Sequence, residues 1–354
     1  MTTTAADMAR FAALLLGDGV MGAKPFITAT LMPALTAPGD TEAARAGLPL
    51  GHGLALVGRD RHGRVGGCHP GNIAGFWAML CVFPQHRSAF FVATNTDNEA
   101  ANNERLNQRL IEALDLPLTA PTRAGTQVIP LSEWNGFYVR SPVAMPSIAP
   151  LQALTNFIHV DHVDTTLRLR SLSRDAQLLQ PLGGHLFRAE GRVLPSHALL
   201  IGDDGQRVLS DGLRSHVRVS TWHIVVPSLV LLLALVGFVI AVLTGLVLAI
   251  RGRLHWRHPA LWSLLAGLSL LLPLPFFVQQ SLLQLGDRTP ASNVLALATL
   301  LLPLLLATGA AMGVRGWRRA TRSERLLTLC VWMTLPGVAL LLAWQLLPLR
   351  LWLL

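Results

Sequence analysis

The stretch IVVPSLVLLLALVGFVIAVLTGLVLAI, residues 224–250, contains no charged side chain. It exceeds the roughly 20 apolar residues that a helix needs to cross the hydrocarbon core of a bilayer. Residues 259–285, 293–314 and 326–349 repeat the pattern. Each is expected to be helical, because a bilayer offers no water to satisfy an open backbone. Pro273, Pro275, Pro303 and Pro336 stand inside these spans and predict kinks. A bundle of four transmembrane helices thus accounts for residues 221–354.

The loops orient the bundle. Arg251, Arg253 and Arg257 lie between the first and second spans, and Arg315, Arg318, Arg319, Arg322 and Arg325 between the third and fourth. Between the second and third stand only Asp287 and Arg288. The excess of arginine marks the cytoplasmic side. Residues 1–220 and the C-terminus are therefore expected on the outer face of the cytoplasmic (inner) membrane, whose lipid is the first partner. Pathways and relays through a membrane use charged groups within the spans. Here Gln279, Gln280 and Gln345 are the most polar side chains, so anchoring is expected, with handling of lipid or substrate by the bundle as the alternative.

The 354-residue chain is 51% hydrophobic with a formal charge of +9, an average over two unlike parts. Nearly all Asp and Glu fall in residues 1–220. The basic excess sits largely in the two arginine loops and forms no compact patch with interleaved aromatics, so nucleic acid is excluded as a partner. Cys68, Cys81 and Cys330 have no C-x-x-C spacing, which supports neither a zinc site nor a disulfide framework. A hairpin folded at residues 70–74 would carry Cys81 well past the position opposite Cys68, so no bridge is expected.

Residues 1–116 alternate helix and strand signals. Thr2-Thr3-Thr4 before Ala5-Ala6-Asp7 reads as a capped helix start, with Met8, Phe11, Leu14 and Leu15 at helical spacing and Gly17 at the end. A short helix is expected near residues 28–35. Strands are expected at 52–59, 64–69, 76–83 and 88–94, with a tight turn at 61–63. Residues 98–114 close the segment as an amphipathic helix through Leu106, Leu110, Ile111 and Leu114.

The stretch Thr3-Thr4-Ala5-Ala6-Asp7-Met8-Ala9-Arg10-Phe11, then Gly51-His52-Gly53-Leu54, Gly67-Cys68-His69-Pro70-Gly71-Asn72-Ile73-Ala74-Gly75-Phe76 and Ala93-Thr94-Asn95-Thr96-Asp97, resembles the C-terminal portion of the serine β-lactamase-like hydrolases. That family includes class C β-lactamases, penicillin-binding DD-peptidases and esterases. The resemblance implies an α+β fold, an antiparallel sheet with flanking helices. It implies that His69-Pro70-Gly71 stands for the third motif of the family, with His69 and Gly71 bordering a catalytic site. Asn72 and Gly75 are the implied substrate-binding positions. The implied activity is hydrolysis of an amide or ester, in a cell-wall peptide, a β-lactam or a small ester.

The chemistry such a family needs is missing. The nucleophile motif Ser-x-x-Lys requires a lysine one helical turn from the serine, yet Lys24 is the only lysine and Met21 stands three residues before it. The second motif, Tyr-x-Asn or Tyr-x-Ser, fails too, because Tyr138 is the only tyrosine and is followed by Val139-Arg140. Two explanations stand: a truncated portion of a longer enzyme, or a protein that has lost catalysis. Targeting favours the first, since residues 1–20 form no signal peptide although residues 1–220 are expected to be exported. The rival function is a non-catalytic, membrane-anchored protein that binds cell-wall peptide or regulates a partner.

Residues 117–130, rich in Pro, Thr and Ala, read as a linker. Residues 131–220 read as a small all-β domain, with strands expected at 153–159, 166–171, 177–181, 185–189, 198–202 and 206–209 in an open sheet or small barrel. They resemble the lipocalin-like accessory domain that follows the hydrolase domain in related proteins. His159, Asp161, His162 and Asp164 are read as a solvated turn rather than a metal site, and no cofactor is indicated.

Overall fold

A computed structural model describes residues 3–22, 24–73, 75–95, 102–126, 129–143 and 145–353. Ala74 and residues 96–101, where a turn and the start of a helix are expected, lie outside the described residues. The chain divides into two compact units, residues 1–142 with 156–219, and residues 143–155 with 220–354.

The first unit opens with helix α1 (Ala5–Leu16), whose N-cap Thr4 and Asp7 exchange hydrogen bonds in a capping box. Strands β1 (Val20–Met21) and β2 (Lys24–Pro25) form a minor ladder, and α2 (Glu42–Arg45) is a single turn capped by Thr41. Strands β3 (Val57–Arg59), β4 (Gly66–Ile73), β5 (Phe76–Phe83) and β6 (Ser88–Thr94) pair in order as an antiparallel sheet, followed by helix α3 (Asn103–Ala113). Alternation along β5 sends Leu80 and Val82 to one face against α1, and Trp77, Met79 and Phe83 to the other against Ile111 of α3. Both faces of β5 are covered, so the small sheet is held between two helices.

The hairpin of β4 and β5 corrects the cysteine expectation. β4 continues through Pro70 to Ile73, which pairs with Phe76, and Gly75 makes the turn with φ 85°. This register puts Cys68 directly opposite Cys81, and they form a disulfide with their Cα atoms 4.1 Å apart. The turn lies several residues later than Pro70 suggested, because proline is tolerated where a strand is paired on one side only.

The expected class, an α+β sheet followed by a separate small all-β domain, is also corrected. Strands β7 (Gly136–Arg140), β8 (Ile158–Val163), β9 (Thr166–Ser171), β10 (Gln177–Gly183), β11 (Leu186–Ala189), β12 (His197–Ile201), β13 (Arg207–Ser210) and β14 (Ser215–Val219) close into an eight-stranded antiparallel barrel. Closure comes from β14 pairing with β7, Val217 opposite Val139. Residues 215–219, beyond the last expected strand at 206–209, supply that closing strand. Tyr138, Val160, Leu167, Leu179, Phe187, Leu199 and Leu209 fill the interior, as side chains do in a barrel of this size. Residues 153–155, expected as strand, end helix α4 (Ala149–Thr155) instead.

Barrel and sheet share one unit, tied by Asp60. Its fully buried carboxylate pairs with Arg192 and accepts from the Val193 and Leu194 N–H groups at 3.0 and 2.8 Å.

The second unit holds α4 and the apolar helices. α5 (Thr221–Ile250), α6 (Pro259–Ser269) with α7 (Leu274–Val278), α8 (Pro290–Gly316) and α9 (Arg322–Ala343) give four spans long and apolar enough to cross a membrane. The second span breaks between α6 and α7, where Pro273 and Pro275 stand. Small residues set the packing: Gly237 of α5 lies against the Cys330 carbonyl of α9, Gly245 of α5 against the Ala260 carbonyl of α6, and Gly313 of α8 against Thr328 of α9.

Candidate functional site

The structure gathers the four expected site residues in one hairpin but divides them between its faces. His69 and Gly71 on β4 lie opposite Leu80 and Ala78, on the α1 side of the sheet, whereas Asn72 lies opposite Trp77, on the α3 side. Gly75 makes the turn. The backbone is the more notable feature. β3 reaches only as far as Val57 opposite Cys68, so among the described residues His69 to Ile73 are paired by β5 on one side and by no strand on the other. His69, Pro70, Asn72 and Ile73 are exposed. The disulfide fixes the base of this edge.

Tyr138 cannot serve as a proton carrier beside that hairpin. Lys24 sits exposed in the two-residue strand β2. Tyr138 is wholly buried in the barrel, where its hydroxyl donates to the Trp134 carbonyl at 2.9 Å. Burial pushes its phenol up to about 12, partly offset by Arg218 and Arg207.

The residues read as a solvated turn lie mostly on β8. Asp161 takes two hydrogen bonds from Arg168, at 2.9 and 2.6 Å, and a third from Arg170 at 2.8 Å. The Arg168 hydrogen bonds hold its carboxyl below the ordinary range. His162 Nδ1 lies 3.0 Å from Asn135 Oδ1, and Asp164 makes the turn to β9 with φ 53°.

A second feature was invisible in the sequence. At the Arg140 end of the barrel lies a cleft of about 250 Å³, lined among others by Thr41, Glu42, His52, Arg140, Ser141 and Arg214. Segments far apart in the chain build it. The turn between β13 and β14 approaches the backbone of Leu50 so closely that a Cβ on Gly212, at φ 81°, would stand 2.1 Å from the Leu50 carbonyl oxygen. His216, opposite Arg140 in the ladder, has its pKa lowered by burial, countered by Asp211 and reinforced by Arg214 and Arg140. Nearby His197 is pushed down to about 4, chiefly by burial, with its Nδ1 3.0 Å from Ser196 Oγ. Ser196 is buried and already accepts from the Ala189 N–H, so this pair is structural rather than a nucleophile with its base.

No family model matches the chain. No curated protein matches it. Among solved structures it is similar to a crystal structure of SurE, at 18% identity and a TM-score of 0.36, covering 61% of this chain and 48% of that one. It is likewise similar to a crystal structure of SurE with D-Leu, at 21% identity and a TM-score of 0.35, covering 61% and 50%. The chain thus spans about half the length of each, and likeness at this level carries no argument about activity. The identification with serine β-lactamase-like hydrolases and penicillin-binding proteins is accordingly corrected. No family model and no curated protein carries it. The matching pieces are the start of a helix and short stretches of an antiparallel sheet, and the chain's one tyrosine is spent inside the barrel.

Proposed function

We propose that the chain is a non-catalytic, membrane-anchored binding protein that takes an extended peptide, such as that of the cell wall, on the open edge of β4. The observation that carries this reading is the one-sided pairing of His69 to Ile73. An extended peptide adds to such an edge through main-chain hydrogen bonds. Pro70 contributes a carbonyl but no donor, which restricts the register of the added strand. The Cys68–Cys81 disulfide holds the edge in place before a ligand arrives.

Two independent features support an outer location for the sheet and barrel. Arginine concentrates in the loops at 251–257 and 315–325 and is nearly absent from the loop at 286–289. The disulfide belongs to oxidising compartments rather than the cytosol.

The test is a titration of the full chain in lipid nanodiscs with a fluorescent peptide ending in D-alanyl-D-alanine, read by anisotropy. Saturable binding, weakened at least about tenfold by N-methylation of alternate backbone amides, is expected. No binding, or equal binding of the methylated peptide, would overturn strand addition. A covalent adduct with a fluorescent penicillin or fluorophosphonate would overturn the non-catalytic part.

A further inference from the structure

We propose that the cleft at the Arg140 end of the barrel binds the carboxylate of a small organic acid or of a chain terminus. In the first unit Arg59, Arg168, Arg192 and Arg207 each meet a carboxylate. Arg140 and Arg214 line the cleft, and among the described residues neither has a carboxylate within ion-pair distance. The half-buried imidazole of His216, opposite Arg140 in the ladder, feels both guanidinium charges. Two cations lining one concave surface, with low-dielectric barrel wall behind them, make a site for an anion. Guanidinium groups suit a planar carboxylate, which they hold by paired, charge-assisted hydrogen bonds.

The lining also sets the charge and size of the ligand. Glu42 stands in the same cleft and repels a second negative charge, which favours a monoanionic carboxylate over a phosphate dianion. Thr41 Oγ1 accepts from the Ala44 N–H as the cap of α2, which leaves its hydroxyl proton to donate. A volume of about 250 Å³ lies below the roughly 300–1,000 Å³ of pockets for drug-sized ligands, so the site takes a few heavy atoms or one terminal residue. No residue of the cleft belongs to β4, so this site stands or falls separately from strand addition.

The experiment is calorimetric titration of the full chain in nanodiscs with acetyl-alanyl-alanine, its C-terminal amide and inorganic phosphate. The free acid should bind, the amide at least about tenfold more weakly, and phosphate more weakly than the acid. Binding should decline with salt. Arg140→Gln and Arg214→Gln should each weaken the acid about tenfold or more, while Arg45→Gln, on the exposed side of α2, leaves it unchanged. The comparison of acid with amide on the unaltered chain stands even if a variant fails to fold. Equal binding of acid and amide, no binding of the acid, tighter binding of phosphate, or an unchanged affinity in both arginine variants would each overturn the proposal.

Discussion

His197 begins β12 with its imidazole buried and its pKa pushed down to about 4, while the unfolded chain titrates near the ordinary value of 6.5. Between those values the unfolded chain binds the proton that the folded barrel refuses. Stability is therefore full above about pH 6.5, falls as the pH drops, and levels off below about 4. The total loss is on the order of 3 kcal/mol. Hydrogen exchange of the barrel amides in the full chain should show this slope, and His197→Gln should flatten it. Tyr138→Phe removes the hydroxyl bound to the Trp134 carbonyl and should cost about 1 kcal/mol, read as a lower unfolding midpoint of the barrel. Asp60→Ala is the more severe change. It strands Arg192 and two N–H groups, that of Val193 buried, and about 3 kcal/mol or more should be lost in the same measurement.

Among the elements, the β4–β5 hairpin and the helix contacts make the sharpest predictions. Non-reducing mass spectrometry should find Cys68 joined to Cys81 and leave Cys330 as the alkylatable thiol. Cys68→Ser with Cys81→Ser should cost about 2–4 kcal/mol. In the bundle, Gly237→Leu and Gly313→Leu drive a side chain into the facing helix. Each should destabilise by about 1–3 kcal/mol, whereas Gly316→Leu meets open space and should be tolerated, as judged by thermal melting in detergent. The same elements show what a sequence can carry. The spans are legible because hydropathy accumulates within one segment, as in residues 224–250. Helix α1 is legible because Thr4 and Asp7 are local signals. The disulfide is missed because register hangs on where a turn falls, and Gly75 rather than Pro70 decides it. The closing strand is missed, and open sheet and small barrel stay undecided, because β14 is five residues whose partner lies on β7, at the other end of the β segment. The cleft has no local signature at all, since Glu42, Arg140 and Arg214 meet only after closure.

At the scale of the whole molecule, charge and hydropathy divide the labour. A unit of sheet and barrel carries nearly all the acidic residues, an open strand edge and an arginine-lined cleft, and four helices are long and apolar enough to cross a membrane. The account holds together only if that unit faces away from the cytoplasm, where its disulfide persists and an extracellular peptide can reach β4. Labelling with a membrane-impermeant maleimide in intact cells tests this most directly, in a chain whose Cys330 is replaced by serine. Asp175→Cys, exposed between β9 and β10, should label, and Arg319→Cys, exposed in the turn after α8, should label only after the cells are opened. The reverse pattern would place the sheet and barrel in the cytoplasm and contradict the account.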